Sequence, residues 1–374
     1  MKAGAKLILA AACVLFSLLF FSPVAAQAEG ARASILIEAK TGRVLYESNA
    51  HEALPMASTT KVMTALLALE RGNLDDMVTA GPNAFGVPGT SIYLSLGERL
   101  TLRDMLYGLM LASGNDAAVA IAEHIGGTVP DFCRMMTERA EEIGCENTVF
   151  TTPHGLPADG HHTTAWDLAL IAREAMQNPV FREIVSTQRA TLPWSGHEYS
   201  RVLNNKNKLL SAYAGAMGVK TGYTKAAGRC LVFAAERNGL ELIGVVLNCP
   251  DWFDEAAAIL DRGFENWQMA QVLSAGESVR EIPVTGGVQA SVRAVAQSDA
   301  AVPVAWDAWP DLFIDLPESL AAPVKAGQVI GAARMVDQGE TLLTVPLLSA
   351  ENVPERSFRY GGERILALWP LAGK

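Results

Sequence analysis

Near Ser274 the chain changes texture, and this break limits the fold more than any other feature of the sequence. Before it, apolar residues recur at helical spacing between short strand-like runs. After it, to about Pro354, there are only short Val-rich strands and Pro/Gly turns, with no convincing helix. A chain of 374 residues is also too long for one small domain. The reading is therefore an α/β (α+β) domain over 29–273, an antiparallel sheet flanked by helices. A small all-β, sandwich-like domain follows over 274–356.

Within the first domain, Ser34–Glu38 and Val44–Tyr46 read as strands around the turn Lys40-Thr41-Gly42-Arg43. Val62, Ala65, Leu66 and Leu69 predict a helix from Ser58 to about Arg71. Helices are expected over Leu102–Leu111 and Asp116–Ile125, separated by Ser113-Gly114-Asn115, and over Pro130–Ile143 and Ala165–Met176. Gly218–Thr221 reads as strand. Leu231–Glu236 and Leu240–Leu247 form a hairpin through Arg237-Asn238-Gly239, and Phe253–Met269 closes the domain as a helix. Ser278–Val284, Ala290–Ala296, Gln328–Met335 and Glu340–Val345 are the clearest later strands.

The first residues carry an address. Lys2 and Lys6 precede an apolar run, Leu7 to Phe21, and Ala26-Gln27-Ala28 is a small-x-small cleavage signature. The run is short of the roughly twenty residues a membrane span needs. Residues 1–28 thus read as a signal peptide, with a mature start near Glu29 and an uncleaved anchor as the alternative. Cys13 has no leucine three residues before it, so a lipoprotein signal is not expected. The protein is placed outside the cytoplasm, at the cell wall or the outer face of the cytoplasmic membrane. Export permits disulfides. The spacing of Cys133, Cys145, Cys230 and Cys249 is not that of a disulfide scaffold, and burial as small apolar side chains is preferred. A formal charge of −10 argues against a nucleic-acid partner.

Three short motifs carry chemistry. In Ser58-Thr59-Thr60-Lys61 the three-residue separation puts both side chains on one helix face, where a lysine of lowered pKa can activate the serine. In Ser113-Gly114-Asn115, the serine can pass a proton to a leaving group and the amide can hold a substrate carbonyl. In Lys220-Thr221-Gly222, the cation and the hydroxyl can bind a carboxylate, and the glycine lets an extended substrate lie against the strand. Lys40-Thr41-Gly42 repeats these letters, but turn chemistry accounts for it. The motifs gain meaning from their order, with gaps of about fifty and about a hundred residues, a trio known in β-lactamases and penicillin-binding proteins.

With that trio the chain resembles the low-molecular-mass penicillin-binding proteins, the serine-type D-alanyl-D-alanine carboxypeptidases. Pro55 to Lys61, Leu111 to Ala117, His154-Gly155-Leu156-Pro157 with His162 to Ala165, and Val219 to Thr224 are all similar to family segments. So is Ala322 to Gln328 in the second domain, and the likeness runs over roughly 31–355. The resemblance implies Ser58 as acyl-enzyme serine, Lys61 as general base and Ser113 as proton relay. It implies Asn115, Lys220 and Thr221 as substrate ligands beside Gly222. Backbone N–H groups of Ser58 and Tyr223 would form the oxyanion hole. Tyr223 stands where some members have histidine, so no side-chain role is carried over. The implied reaction removes D-alanine from peptidoglycan stem peptides ending in D-Ala-D-Ala, with β-lactam antibiotics as inhibitors and no cofactor.

Two alternatives share the trio. A class A β-lactamase uses a further glutamate for deacylation, and Glu142 in a helical run supplies no convincing signature for it. A catalytically idle penicillin-binding scaffold need not keep Lys61, Ser113 and Lys220 together. His154, His161 and His162 lack a usual zinc spacing, so no metal is expected. The tail 357–374, with Ile365, Leu366, Leu368, Trp369 and Leu371, reads as a membrane-associating segment or as an ordinary packed end.

Overall fold

The computed structural model describes residues 30–357. The expected leader and the tail lie outside the described residues, apart from Ser357 at the tail's start. The chain opens with a hairpin of β1 (Ala33–Glu38) and β2 (Val44–Ser48). A short 3-10 turn, Ala57–Thr60, runs into α1 (Lys61–Arg71). The helix expected from Ser58 therefore becomes regular only at Lys61, and Ser58 sits in the tight turn leading into it. The ribbon β3 (Met77–Thr79) with β4 (Arg99–Thr101) precedes α2 (Leu102–Met110), α3 (Asn115–Gly126), α4 (Val129–Ile143), α5 (Ala165–Met176) and α6 (Pro179–Ser186). Then come the ribbon β5 (Arg189–Leu192) with β6 (Arg201–Asn204), the single turn α7 (Leu209–Ala212), the strands β7 (Ala216–Thr224), β8 (Gly228–Arg237) and β9 (Leu240–Leu247), and α8 (Trp252–Asn266).

Threonines start three of these helices. Thr101, Thr128 and Thr164 each accept, through Oγ1, the N–H of an aspartate three residues on, at 3.1, 3.2 and 3.0 Å. Each cap is worth about 1 kcal/mol, and the aspartate adds its charge at the positive helix end. Gly144 ends α4 in the left-handed conformation, at φ 98°.

The central sheet runs β2-β1-β9-β8-β7, antiparallel throughout, with β7 at an edge. It divides two cores. Ile35, Ile37, Val232, Ala234 and Val245 face the main helical layer. Leu36, Leu231, Phe233, Leu242 and Val246 face α8. Both faces are covered, so β8 and β9 read as continuous apolar runs rather than alternating ones. Each buried leucine or phenylalanine contributes roughly 2 kcal/mol before chain entropy is charged against it. Cys230 belongs to the first core and Cys249 to the second, so the sheet separates them. All four described cysteines are free and buried, and burial pushes their thiols up, Cys230 to about 12.

The helix expected over Phe253–Met269 stops at Asn266. Trp267 to Met269 open β10 (Trp267–Leu273), which pairs with β13 (Ala300–Ala305). The remaining strands are β11 (Ser278–Thr285), β12 (Ser291–Ala296), β14 (Asp311–Asp315), β15 (Leu320–Ala321), β16 (Val329–Asp337) and β17 (Glu340–Ser349). They form a six-stranded sheet, β14-β16-β17-β12-β11-β15. The β10-β13 ribbon packs on it through Val302, Val304, Met335 and Leu347, giving the two layers of a small sandwich. Arg43 joins this unit to the first hairpin. Its Nη1 donates to Pro303 O at 2.8 Å, Nη2 pairs with Asp337 at 2.5 Å, and the guanidinium lies over the Trp267 ring.

Candidate active site

The three motifs meet in one groove of about 840 Å³, lined by Ser58, Ser113, Asn115, Thr221, Gly222 and Tyr223 among others. Lys61 and Lys220 lie behind these residues, fully buried. Edge strand β7 runs against the turn that carries Ser58. A Cβ on Gly222 would lie 2.9 Å from Ser58 N and 3.0 Å from Thr59 N, so only glycine permits this approach. Both serine motifs are held by non-glycine residues in the left-handed region, Ala57 at φ 49° and Ser113 at φ 64°. Such conformations persist where surrounding structure enforces them, and they cluster at functional sites.

Three oxygens surround Lys61 Nζ: Ser58 Oγ at 3.0 Å, Asn115 Oδ1 at 2.8 Å and His154 O at 2.7 Å. Its pKa is held well below the ordinary lysine value, first by burial and then by the charges of Lys220 and Lys206, with Asp116 opposing. A neutral amine has two protons and one lone pair. The carbonyls of Asn115 and His154 can only accept, so they take the two protons. The lone pair then points at Ser58 Oγ, the geometry a general base needs.

Asn115 is fixed in turn. Its Nδ2 donates to Pro88 O at 2.7 Å and its backbone N–H to Thr90 O at 2.7 Å, while Thr90 Oγ1 donates to Ser113 O at 2.6 Å. Ser113 is almost completely buried and still lines the groove. The neighbouring Asp116 accepts from Ser91 Oγ and from the N–H groups of Ile92 and Leu94. It ties the segment over the second motif to the start of α3.

Lys220 Nζ donates to Thr221 O at 2.9 Å. Burial, and then Lys206, bring its pKa down to about 7. Lys206 stays exposed at the groove rim, where partial desolvation still lowers its pKa. Tyr223 lines the groove and is 62% exposed.

The histidines are used as scaffolding. His161 Nδ1 accepts from Thr151 N at 3.0 Å, so the proton sits on Nε2 and is given to Thr60 Oγ1, 2.9 Å away. Thr60 in turn donates to Ala57 O. Burial holds His161 down to about 4 and His154 to about 3. His162 bonds Gly160 O and Asn147 Oδ1.

Two features were not assigned roles from sequence. The His154 carbonyl is the third partner of Lys61, and Gly155 beside it has φ 84°, with a Cβ that would fall 1.8 Å from Ala57 O. The quoted His-Gly-Leu-Pro run was the available signal. Lys206 is the other, and nothing in its polar loop marked it. Glu142, the residue weighed for a β-lactamase, lies exposed on α4, paired with Arg139 at 3.6 Å and outside the groove lining.

A buried lysine aimed at a serine, with an asparagine between two helices and a cationic edge strand, defines a serine acyl-transfer enzyme. The comparisons place it further. The family described as D-alanyl-D-alanine carboxypeptidase matches residues 22–251, and that described as the C-terminal domain of penicillin-binding protein 5 matches 267–355. The chain belongs to the serine-type D-alanyl-D-alanine carboxypeptidase family, with the second domain of its low-molecular-mass penicillin-binding members. It is 31% identical to the D-alanyl-D-alanine carboxypeptidase DacF of Bacillus subtilis over 355 residues, covering 91% of this chain and 90% of that one. It is 32% identical to DacC of Escherichia coli, over 91% of this chain and 90% of that one. Among solved structures, penicillin-binding protein 5 of Haemophilus influenzae superposes with a TM-score of 0.72 at 30% identity, covering 87% of this chain and 98% of that one.

Proposed function

We propose that Ser58 carries the D-Ala-D-Ala carboxypeptidase reaction of this family on peptidoglycan stem peptides, with Lys61 as its base. The observation that carries this reading is the coordination of Lys61 Nζ, whose lone pair is left for Ser58 Oγ. Ser58 Oγ loses its proton to Lys61 and attacks the penultimate D-alanine carbonyl. The developing oxyanion is held by the N–H groups of Ser58 and Tyr223. Ser113 relays the proton to the leaving nitrogen and D-alanine departs. Water then cleaves the ester and restores Ser58. Asn115 holds the acyl part, and Lys220 with Thr221 holds the terminal carboxylate. A β-lactam acylates the same serine.

Penicillin added to the mature protein should give a lasting penicilloyl adduct on Ser58 by mass spectrometry. D-alanine should be released from diacetyl-L-Lys-D-Ala-D-Ala. Ser58→Ala should form no adduct and lose roughly 10⁴-fold or more in turnover. An adduct on wild type without D-alanine release would point to the scaffold, and rapid penicillin turnover to a β-lactamase.

We assign export to residues 1–28 and weak peripheral membrane contact to 357–374. Among the described residues no helix is long and apolar enough to cross a membrane. Equal membrane pelleting with and without 361–374 would remove the tail's assigned contact.

A further inference from the structure

A stem peptide hangs from an aminosugar strand, so its end opposite the leaving D-alanine carries a saccharide. The acyl side of the groove, beside Asn115, faces that end. There a second cavity of about 490 Å³ shares Gly89, Thr90 and Lys206 with the groove and continues along Tyr93 and Val202. The acyl part of a stem peptide, about four residues fully extended, reaches roughly 14 Å. Thr90, whose carbonyl holds the N–H of Asn115, stands three residues before Tyr93, a step of at most about 11 Å. The two reaches are of the same order.

Aromatic rings gather beside this cavity. The turn between β5 and β6 carries Trp194, His197 and Tyr199, with ring centroids 4.4, 5.1 and 5.6 Å apart. Trp194 is half-buried, and His197 and Tyr199 are exposed. A single exposed ring is ordinary, but three at one turn mark a surface that something covers. Arg201, buried at the start of β6, ties this tip to the groove. Its Nη2 donates to Glu98 Oε1 at 3.0 Å and to Tyr93 O at 3.4 Å, and its Nη1 to Pro193 O at 3.2 Å. The same guanidinium lies 5.0 Å from the centroid of the Trp194 ring. Tyr93 has φ 60° and is 71% exposed, so a backbone in the left-handed region presents another ring at the cavity. The tip and Tyr93 are thus one fixed unit, in place before any ligand arrives.

A pyranose has a face of C–H groups and a rim of hydroxyls and amides. Aromatic faces, electron-rich, take the C–H side, and polar groups take the rim. Ser195, Glu198 and Ser200 are exposed on the same turn, and exposed Asn204 lines the cavity. A lipid surface suits this tip less, because Glu198 at its centre would meet the anionic headgroups of a bilayer. We propose that Tyr93 and the Trp194–Tyr199 tip bind the N-acetylated aminosugar strand that carries the stem peptide. The enzyme then prefers glycan-linked peptides to free ones, an inference that rests on the carboxypeptidase reading of Ser58 for its substrate. The site binds only, and no bond forms or breaks there.

The test uses one pentapeptide ending in D-Ala-D-Ala, either free or linked to its N-acetylglucosaminyl-N-acetylmuramyl disaccharide. The disaccharide form should have a kcat/KM about tenfold higher, carried by KM. Trp194→Ala and Tyr199→Ala should each reduce that advantage to about twofold or less and leave the free peptide unchanged. Tyr199 is 62% exposed, so its variant reads the tip without disturbing Arg201. Equal rates on the two substrates, or an advantage that survives in both variants, would overturn the inference. Cosedimentation with glycan strands stripped of peptide reads the same site without turnover. Wild type and Ser58→Ala should pellet, and Tyr199→Ala should stay in solution. If neither substrate is cut, the reading of Ser58 fails and the stripped strands alone decide. Wild type left in solution, or Tyr199→Ala pelleting equally, would then remove the sugar site. Pelleting with phosphatidylglycerol vesicles and not with glycan strands would give the tip to the membrane and overturn the inference.

Discussion

Lys40-Thr41-Gly42 and Lys220-Thr221-Gly222 share three letters and little else. The first is the turn between β1 and β2, with Lys40 exposed. Its polar groups are turned inward on Glu38, which takes the N–H of Lys40 at 2.9 Å, the N–H of Thr41 at 2.7 Å and the hydroxyl of Thr41 at 2.6 Å. Arg173 closes over it through the carbonyls of Ala39 and Lys40, and Arg43, the next residue, fastens the β-sandwich. The second triplet lies along an edge strand, with Lys220 buried beside another lysine and Thr221 and Gly222 open to the groove. The same letters become a joint where a carboxylate is supplied by the chain. In the proposed reaction they serve as a receptor, where the carboxylate must come from outside.

The largest effect should separate the two lysines. Lys220→Ala should lower kcat/KM for D-alanine release by about a hundredfold or more, since a buried charge-assisted contact to substrate is lost. Lys40→Ala should leave the rate within twofold or so, as surface changes usually do. The pH profile sharpens the contrast. With its pKa at about 7, Lys220 is charged below that pH and neutral above it. Binding of a carboxylate-ended peptide should therefore weaken as pH rises through about 7. Lys220→Arg, which stays charged, should flatten that limb. An unchanged limb in Lys220→Arg would take the carboxylate contact away from this residue.

The glycines should part in opposite directions. An added methyl at Gly222 meets the backbone nitrogens of Ser58 and Thr59, which cannot swing aside. Gly222→Ala should displace Ser58 and cost about 10²-fold in kcat. At Gly42 the φ is 78° and the nearest atom is the end of the Arg173 side chain. Gly42→Ala should cost about 1 kcal/mol of stability through the left-handed backbone and leave kcat as it is. Activity loss at Gly42 matching that at Gly222 would break the comparison.

This pair also shows what was legible in the sequence. The turn at Lys40 and the strand at Lys220 follow from local pattern, and so do α5 and the β8-β9 hairpin. Local pattern stops at Trp267. The apolar run continues at a spacing that suits a helix, and only pairing with Ala300–Ala305 turns it into strand. The side-chain partners of the motifs were readable because order and context select them. The His154 carbonyl was not, because a backbone acceptor has no letter. Nor was the lowered pKa of Lys61 a property of Ser-x-x-Lys. It comes from complete burial next to Lys220 and Lys206, which the sequence places far away.

The smallest expected differences lie at the threonines, and they test the comparison most finely. Thr41→Val removes one hydroxyl from Glu38 but leaves two backbone N–H groups on a carboxylate that stays buried. Thr41 Oγ1 also accepts the N–H of Arg43 at 3.2 Å, so the loss should be about 1–2 kcal/mol of stability, the net worth of two hydrogen bonds, visible in thermal unfolding and absent from kinetics. Thr221→Val has no carboxylate of its own to abandon in the free protein. Its missing hydroxyl is felt only when substrate arrives, as a KM raised by about tenfold, equivalent to about 1.4 kcal/mol, with unfolding unchanged. If instead Thr221→Val lowers stability and spares KM, Thr221 serves the fold as Thr41 does, and the carboxylate site must be drawn around Lys220 and Lys206 alone.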